Sequence, residues 1–417
     1  MKRVAWCLIG LLVLAPGPGF PKPPTAAELV ARAERLWRDE EDLRGAMAAF
    51  DEAVKVEPGN VDAHFQRGMF LFWLWERVAP EEQEEVRLAA QAEFSWMDGN
   101  AGDTIYAGIS RDVVRRLDGE VWFNEADVVC PPDAVEAMSQ AESLFAARKL
   151  EASLELYRKA VEACPSSGAV RTAYADAVYG LGEYELAARL FREAIAVDPW
   201  RRTAHRYLAD AEARLGHDEA ALQACVLAIV SDPTYEAAWS ALRGFAERAE
   251  REWRRVRAEK PRVEAGTGED GKPRVSLALP GLEEGKAASS RAEQDEAGAW
   301  LMYGLTKGGI LGGTFDGEGD PRLGFATETA DSPASRLDLE RAAVRKALLV
   351  LSRPRRKAPP SFWGNVRRAD EAGLLDAAIF LSMMDRELAA EYPAYREAHR
   401  AELVRFVETI LVPKGER

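Results

Sequence analysis

Pro131, Pro165, Pro199 and Pro233 stand in one register, 34 residues apart. A fixed period of this size means one supersecondary unit copied along the chain, each copy burying its apolar face against its neighbours. The copies run over 134–167, 168–201 and 202–235 and close on ACPSS, VDPWR and SDPTY; a weaker copy closes on VVCPPD.

With the proline taken as position 32, position 8 reads Ala141, Ala175 and Ala209, and position 27 reads Ala160, Ala194 and Ala228. Position 20 reads Ser153, Ala187 and Ala221, while position 24 carries Tyr157, Phe191 and Cys225. Small residues at fixed points let two helix backbones approach closely, and the larger residue at 24 fills the gap between neighbouring pairs. Gly182 and Gly216, at position 15, suit the left-handed residue that ends a first helix. Pro199 and Pro233 then end the second helix.

This pattern resembles the tetratricopeptide repeat family. It is carried by Ala175, Gly182, Tyr184, Ala187, Phe191, Ala194 and Pro199, then by Leu208, Ala209, Gly216, Ala221, Ala228 and Pro233. Ser153 and Cys225 depart from the family's alanine and aromatic. The resemblance implies an all-α fold: a TPR-like α-solenoid of helix hairpins, followed here by a mostly helical C-terminal module. It also implies a concave groove that binds peptide segments, lined by positions 2, 5, 9, 12 and 13 of each first helix, of which 5, 9 and 12 are singled out. Those are Met138, Thr172 and Arg206; Glu142, Asp176 and Asp210; and Phe145, Tyr179 and Ala213. The acidic row at position 9 departs from family members that hold a C-terminal carboxylate. It favours instead a basic protein or peptide partner.

The same register continues outside the three copies. Residues 27–60 form a unit through Ala46, Phe50, Ala53 and Pro58; 61–100 is irregular around FLFWLWERVAPEEQEE, expected as a buried helix; 101–133 is weak. A charged capping helix is expected over 236–260, which completes a repeat domain over 27–260. At 261–293 the composition changes, and GTGEDGK suits either a small β-hairpin or a linker. The module over 294–417 opens with a glycine-rich loop, AWLMYGLTKGGILGGTFDGEGDPRLGF. Helical segments are expected over 338–351, 365–391 and 395–411.

The start of the chain, MKR followed by VAWCLIGLLVLA, reads as a signal peptide over 1–19, then a proline-rich spacer over 20–26. The expectation is export to a periplasmic or extracellular space, with no stable membrane insertion after cleavage. Cys130, Cys164 and Cys225 then remain. Cys130 and Cys164 occupy equivalent positions of adjacent units, about 10 Å apart if both units are regular, which disfavours a disulfide. Cys225 is expected to pack as a small hydrophobe.

A net charge of −14 opposes nucleic-acid binding. His64, His205, His217 and His399 form no metal-binding spacing, and no nucleophile motif stands out, so neither metal, cofactor nor catalytic residue is assigned. Two rival readings remain. One is an enzyme using the C-terminal module, where Asp376, Asp385 and Glu387 fall on one expected helix. The other is a membrane-surface or envelope-polymer binder using the basic run Arg353–Arg368 with Phe362 and Trp363.

Overall fold

The computed structural model describes residues 23–38, 40–75, 77–102, 104–119, 123, 128–146, 149–256, 260–267, 273–278, 291–311, 335–351 and 360–415. The signal peptide expected over 1–19 and residues 20–22 of the expected spacer lie outside them. The chain divides into two compact units between Glu93 and Phe94.

In the first unit, α1 (Ala26–Arg38) and α2 (Leu43–Val56) form a hairpin, and α3 (Val61–Trp75) packs on both. Ala33, Ala46, Phe50, Ala53 and Phe70 are fully buried between them. The FLFWLW stretch lies on α3, where Phe70 meets Trp37 edge-on at 5.2 Å. The division between units falls inside α4 (Pro80–Asn100).

In the second unit, α5 (Ile105–Leu117) precedes the repeats. The hairpins are α6 (Pro132–Ala146) with α7 (Leu150–Ala163), α8 (Gly168–Gly180) with α9 (Tyr184–Val197), and α10 (Arg202–Arg214) with α11 (Asp218–Ser231); α12 (Glu236–Arg248) follows. Each helix packs on the next, so the hairpins stack. Ala141, Ala175, Ala209, Ser153, Ala187, Ala221, Ala160, Ala194 and Ala228 are all sealed from solvent, as are Phe191 and Cys225. Gly182 and Gly216 have φ of 84° and 79°, the left-handed turn expected of them. The Cys225 thiol donates to the Ala238 carbonyl at 3.2 Å.

The repeat proline has a second use. At Pro165, Pro199 and Pro233 the next first helix begins three residues on, and the fourth residue of that unit donates a side-chain N–H back to the proline carbonyl. Arg171 does so to Pro165 at 2.9 Å, His205 to Pro199 at 3.0 Å and Trp239 to Pro233 at 2.8 Å. His64 contacts the Pro58 carbonyl in the same way at 3.0 Å. A carbonyl at the end of a helix, where no backbone donor follows, is thereby satisfied.

The weak unit over 101–133 is not a member of the stack. Its helix α5 packs on α12, from the far end of the repeats. Residues 128–130 carry no helix and run beside the end of α7, where Cys164 is the C-cap. This overturns the expectation for the cysteines: Cys130 and Cys164 form a disulfide, with Cα atoms 5.5 Å apart. The 10 Å spacing holds between regular stacked hairpins, and Cys130 does not belong to one.

The expected capping helix over 236–260 is half that length. Glu250 takes φ of 54°, the chain leaves the helix, and residues 252 and 254 bond through their amides to the carbonyls of Pro413 and Leu411. Of the two alternatives at the junction, the hairpin is present: β1 (Arg262–Thr267) pairs antiparallel with β2 (Pro273–Ala278), Val263 opposite Leu277.

The stretch read as a glycine-rich loop is helical to Leu311. It forms α13 (Arg291–Leu311), whose Gly304 and Gly308 share one face. A Cβ on Gly304 would sit 2.3 Å from Leu277, and one on Gly308 2.2 Å from Val275. Those glycines are there to let the β-hairpin reach the helix. Next come α14 (Arg336–Val350), α15 (Phe362–Glu371), α16 (Leu375–Ser382), α17 (Arg386–Ala389) and α18 (Tyr392–Phe406), which runs into a π-helical turn at Val407–Leu411. The single helix expected over 365–391 is broken at Gly373, with φ of 69°, and again at Asp385, which caps α17 by accepting from the amides of Glu387 and Leu388.

These C-terminal helices share one core with α8–α12. The reason is legible in α11, where Leu222, Cys225, Val226, Ile229 and Val230 are all buried. A helix apolar on every side needs cover beyond its own hairpin, and α18 supplies it. The Tyr392 hydroxyl donates to the Val230 carbonyl at 2.7 Å, and the Phe123 ring packs edge-on against Tyr392. The compact division therefore falls within the expected repeat domain and not at residue 261.

Candidate groove on the first helices

The first helices α6, α8 and α10 turn one face toward a cavity of about 210 Å³. Glu142, Phe145, Thr172 and Asp176, four of the groove positions read from the repeat register, line it. They converge because positions 5, 9 and 12 of a helix lie about one turn apart on one side.

Tyr157, Ala169, Ala173, Arg201, Thr203 and Tyr207 complete the lining. Sequence reasoning missed Tyr157, whose place on α7 speaks only of packing, and Arg201, which precedes α10. Ala169 and Thr203 stand at position 2 of their units, on the same helix face as position 5.

Met138, Tyr179, Arg206 and Asp210 do not line it. Met138 packs with Phe145 against the Ala141–Tyr157–Ala177 cluster. Tyr179 stacks at a tilt on Tyr184, ring centres 5.2 Å apart, and hydrogen-bonds Arg214. Thr172 spends its hydroxyl on the Gly168 carbonyl at 2.7 Å, so it offers the cavity its methyl group. Arg206 ion-pairs with Asp210 one turn along α10.

That last pair changes the electrostatics. The three carboxylates of the acidic row are not equivalent, since Asp210 already has its counterion. Burial, reinforced by Glu142 and Asp210, pushes the Asp176 carboxyl up to about 6. Glu142 accepts a hydrogen bond from the Tyr157 hydroxyl. The cavity thus presents Asp176 and Glu142 among Phe145, Tyr157 and Tyr207. A cationic side chain with an aliphatic stem fits both features, its charge on the carboxylates and its stem on the rings.

The C-terminal residues considered for chemistry are engaged structurally. Arg341 grips both oxygens of Asp376 at 2.9 Å, and Asp385 pairs with Lys260. Glu387 pairs with Arg336. Buried Glu340 accepts from Lys307 at 2.5 Å and from the Tyr303 hydroxyl at 2.6 Å, so the lysine of GLTKGGIL is an internal counterion. Asp376 is on α16, while Asp385 and Glu387 belong to the next helix. Phe362 and Trp363 are buried against Trp300, so neither aromatic is presented to a surface ligand. Residues 353–359 of the basic run lie outside the described residues.

Stacked helix hairpins that present a lined face define a solenoid scaffold. A family model described as tetratricopeptide repeat matches residues 172–236. Over that span, from α8 to α11, the hairpins are tetratricopeptide repeats. Among solved structures, the chain is similar to the first TPR of Spaghetti bound to an HSP90 peptide, at 20% identity and a TM-score of 0.27, covering 28% of this chain and 91% of that one. It is also similar to YrrB, a TPR protein with an unusual peptide-binding site, at 16% identity and a TM-score of 0.26, covering 52% and 92%. A thermophilic TPR protein of Thermus thermophilus matches at 14% identity and a TM-score of 0.23, covering 53% and 98%. Among curated proteins, none matches.

Proposed function

We propose that this chain is an exported adaptor that holds a basic segment of another protein against α6, α8 and α10, in the assembly of a cell envelope. The observation that carries the reading is the cavity on that face, where Asp176 and Glu142 stand among three aromatic rings. Burial first, then the neighbouring Glu142 and Asp210, raises the Asp176 pKa against the pull of Arg206, and an incoming lysine or arginine offsets that penalty on its charge. The repeat scaffold supports protein binding, and the ion-paired carboxylates of the C-terminal helices favour an adaptor over an enzyme. Export is supported by the signal-like start and by the Cys130–Cys164 disulfide, a bond that persists in oxidising compartments.

The test is capture from native envelope extract by the tagged protein. Glu142→Lys with Asp176→Lys should release the partner that the parent chain retains, while Glu183→Lys, on the exposed turn before α9, should not. Equal capture by the parent and the double variant would remove the groove from the mechanism. Terminal sequencing of the protein recovered from the cell exterior tests export, with a new start near Phe20 expected.

A further inference from the structure

The helix α5 lies on the same face of α12 that lines the cavity on α8 and α10. Unit positions 2 and 5 are Ala169 and Thr172 on α8, and Thr203 and Arg206 on α10; on α12 they are Ala237 and Ser240. Gly108 of α5 is pressed against the latter two. A Cβ there would stand 2.5 Å from the Ser240 hydroxyl oxygen and 3.0 Å from the Ala237 Cα. One turn later, Asp112 accepts hydrogen bonds from the amides of Glu236 and Ala237, both at 2.9 Å. Those amides open α12, whose own N-cap, Tyr235, makes no side-chain cap bond. Arg111 and Arg115 add contacts to the Ser240 hydroxyl at 3.3 Å and the Thr234 carbonyl at 2.8 Å.

Beside this contact lies an open cavity of about 350 Å³, lined by Phe94, Asp98, Arg111, Val114, Arg115 and Glu236. The α5 helix is thus held along one side and bordered by open space along another.

We propose that the α12 face is a helix-accepting site, filled by the chain's own α5, which closes the groove at that end. The segment it takes is a helix carrying a glycine and, four residues later, a carboxylate that caps α12. Through this contact α5 confines any partner to α6, α8 and α10, and a partner that reaches α12 must first displace α5. The proposal deepens the groove reading but is tested apart from it, because the probe below addresses α12 alone.

The probe is a fluorescein-labelled synthetic peptide of residues 104–118, titrated into the full chain and followed by anisotropy. In the parent chain the site is filled, so the peptide should bind at least about tenfold more weakly than to a Gly108→Leu chain, in which the side chain forces α5 off α12. Adding Ser240→Trp to that variant should abolish binding by blocking the acceptor face. Equal binding by parent and Gly108→Leu chains would overturn the proposal, as would no binding to a Gly108→Leu chain with unchanged helical content. Should Gly108→Leu fail to fold, Asp112→Ala carries the same two outcomes with the same peptide. Equal capture by the parent and the Glu142→Lys, Asp176→Lys chain, with peptide exchange intact, would reject the partner reading alone.

Discussion

Replacing Asp176 by asparagine should make the protein more stable and less able to bind. The aspartate titrates near 6 in the folded state against an ordinary value of 3.8, because burial and its carboxylate neighbours disfavour the charged form. The native state therefore holds this proton more tightly than the unfolded chain, and the ionised group costs stability as pH rises from about 4 through 6. Each pKa unit is worth about 1.4 kcal/mol, which gives a full cost of about 3 kcal/mol at pH 7.5 and about 1 kcal/mol at pH 4.5. Asparagine keeps the shape and removes the charge. Urea unfolding should show Asp176→Asn stabilised by up to those amounts, with the larger gain at the higher pH. Partner capture at pH 7.5 should fall, since the attraction for a cationic side chain is gone. Opposite effects on stability and binding mark a residue retained for function. If the variant is destabilised at pH 7.5, or gains equally at both pH values, Asp176 is an ordinary structural aspartate and the electrostatic reading of the groove is wrong.

Phe191→Ala should cost about 3–5 kcal/mol, since this α9 ring is fully buried and packs on Tyr207 of α10; exposed Glu183→Ala, measured in the same urea series, should stay within about 0.5 kcal/mol. Replacing Cys130 and Cys164 by serine opens a 34-residue loop and should cost about 4 kcal/mol by chain entropy. Non-reducing peptide mapping should find the bridge only in the parent. Burial holds His205 down at about 4, below its ordinary 6.5, so its contribution is complete above pH 6.5 and lost as pH falls toward 4. His205→Gln should flatten that limb of the stability curve, which otherwise falls by up to about 3 kcal/mol. Trp239→Phe should cost about 1–2 kcal/mol, because it leaves the buried Pro233 carbonyl without its donor.

The bond from the fourth residue of a unit to the repeat proline shows where reading by residue type stops. Alanine at positions 8 and 27 is conspicuous because only a small side chain meets the steric demand, so the same letter returns. At the fourth position the demand is for an N–H at the right reach, met by histidine, arginine, histidine and tryptophan at His64, Arg171, His205 and Trp239. No one letter is required there, and only coordinates reveal the common role. Contacts from distant segments are hidden for another reason: nothing local to α5 says that Gly108 will meet Ser240. The groove divides along the same line. Glu142, Phe145, Thr172 and Asp176 follow from the groove positions that the repeat resemblance implies, whereas Tyr157 enters from a second helix whose register speaks only of packing. The pairing of Arg206 with Asp210 is in plain view in the sequence, since residues four apart on a helix are neighbours. Counting the acidic row by position across units, and not along each helix, conceals it. Counting along the helix first leaves Asp176 and Glu142 as the carboxylates still able to recruit a cation. They are the pair on which charge reversal will test partner capture most directly.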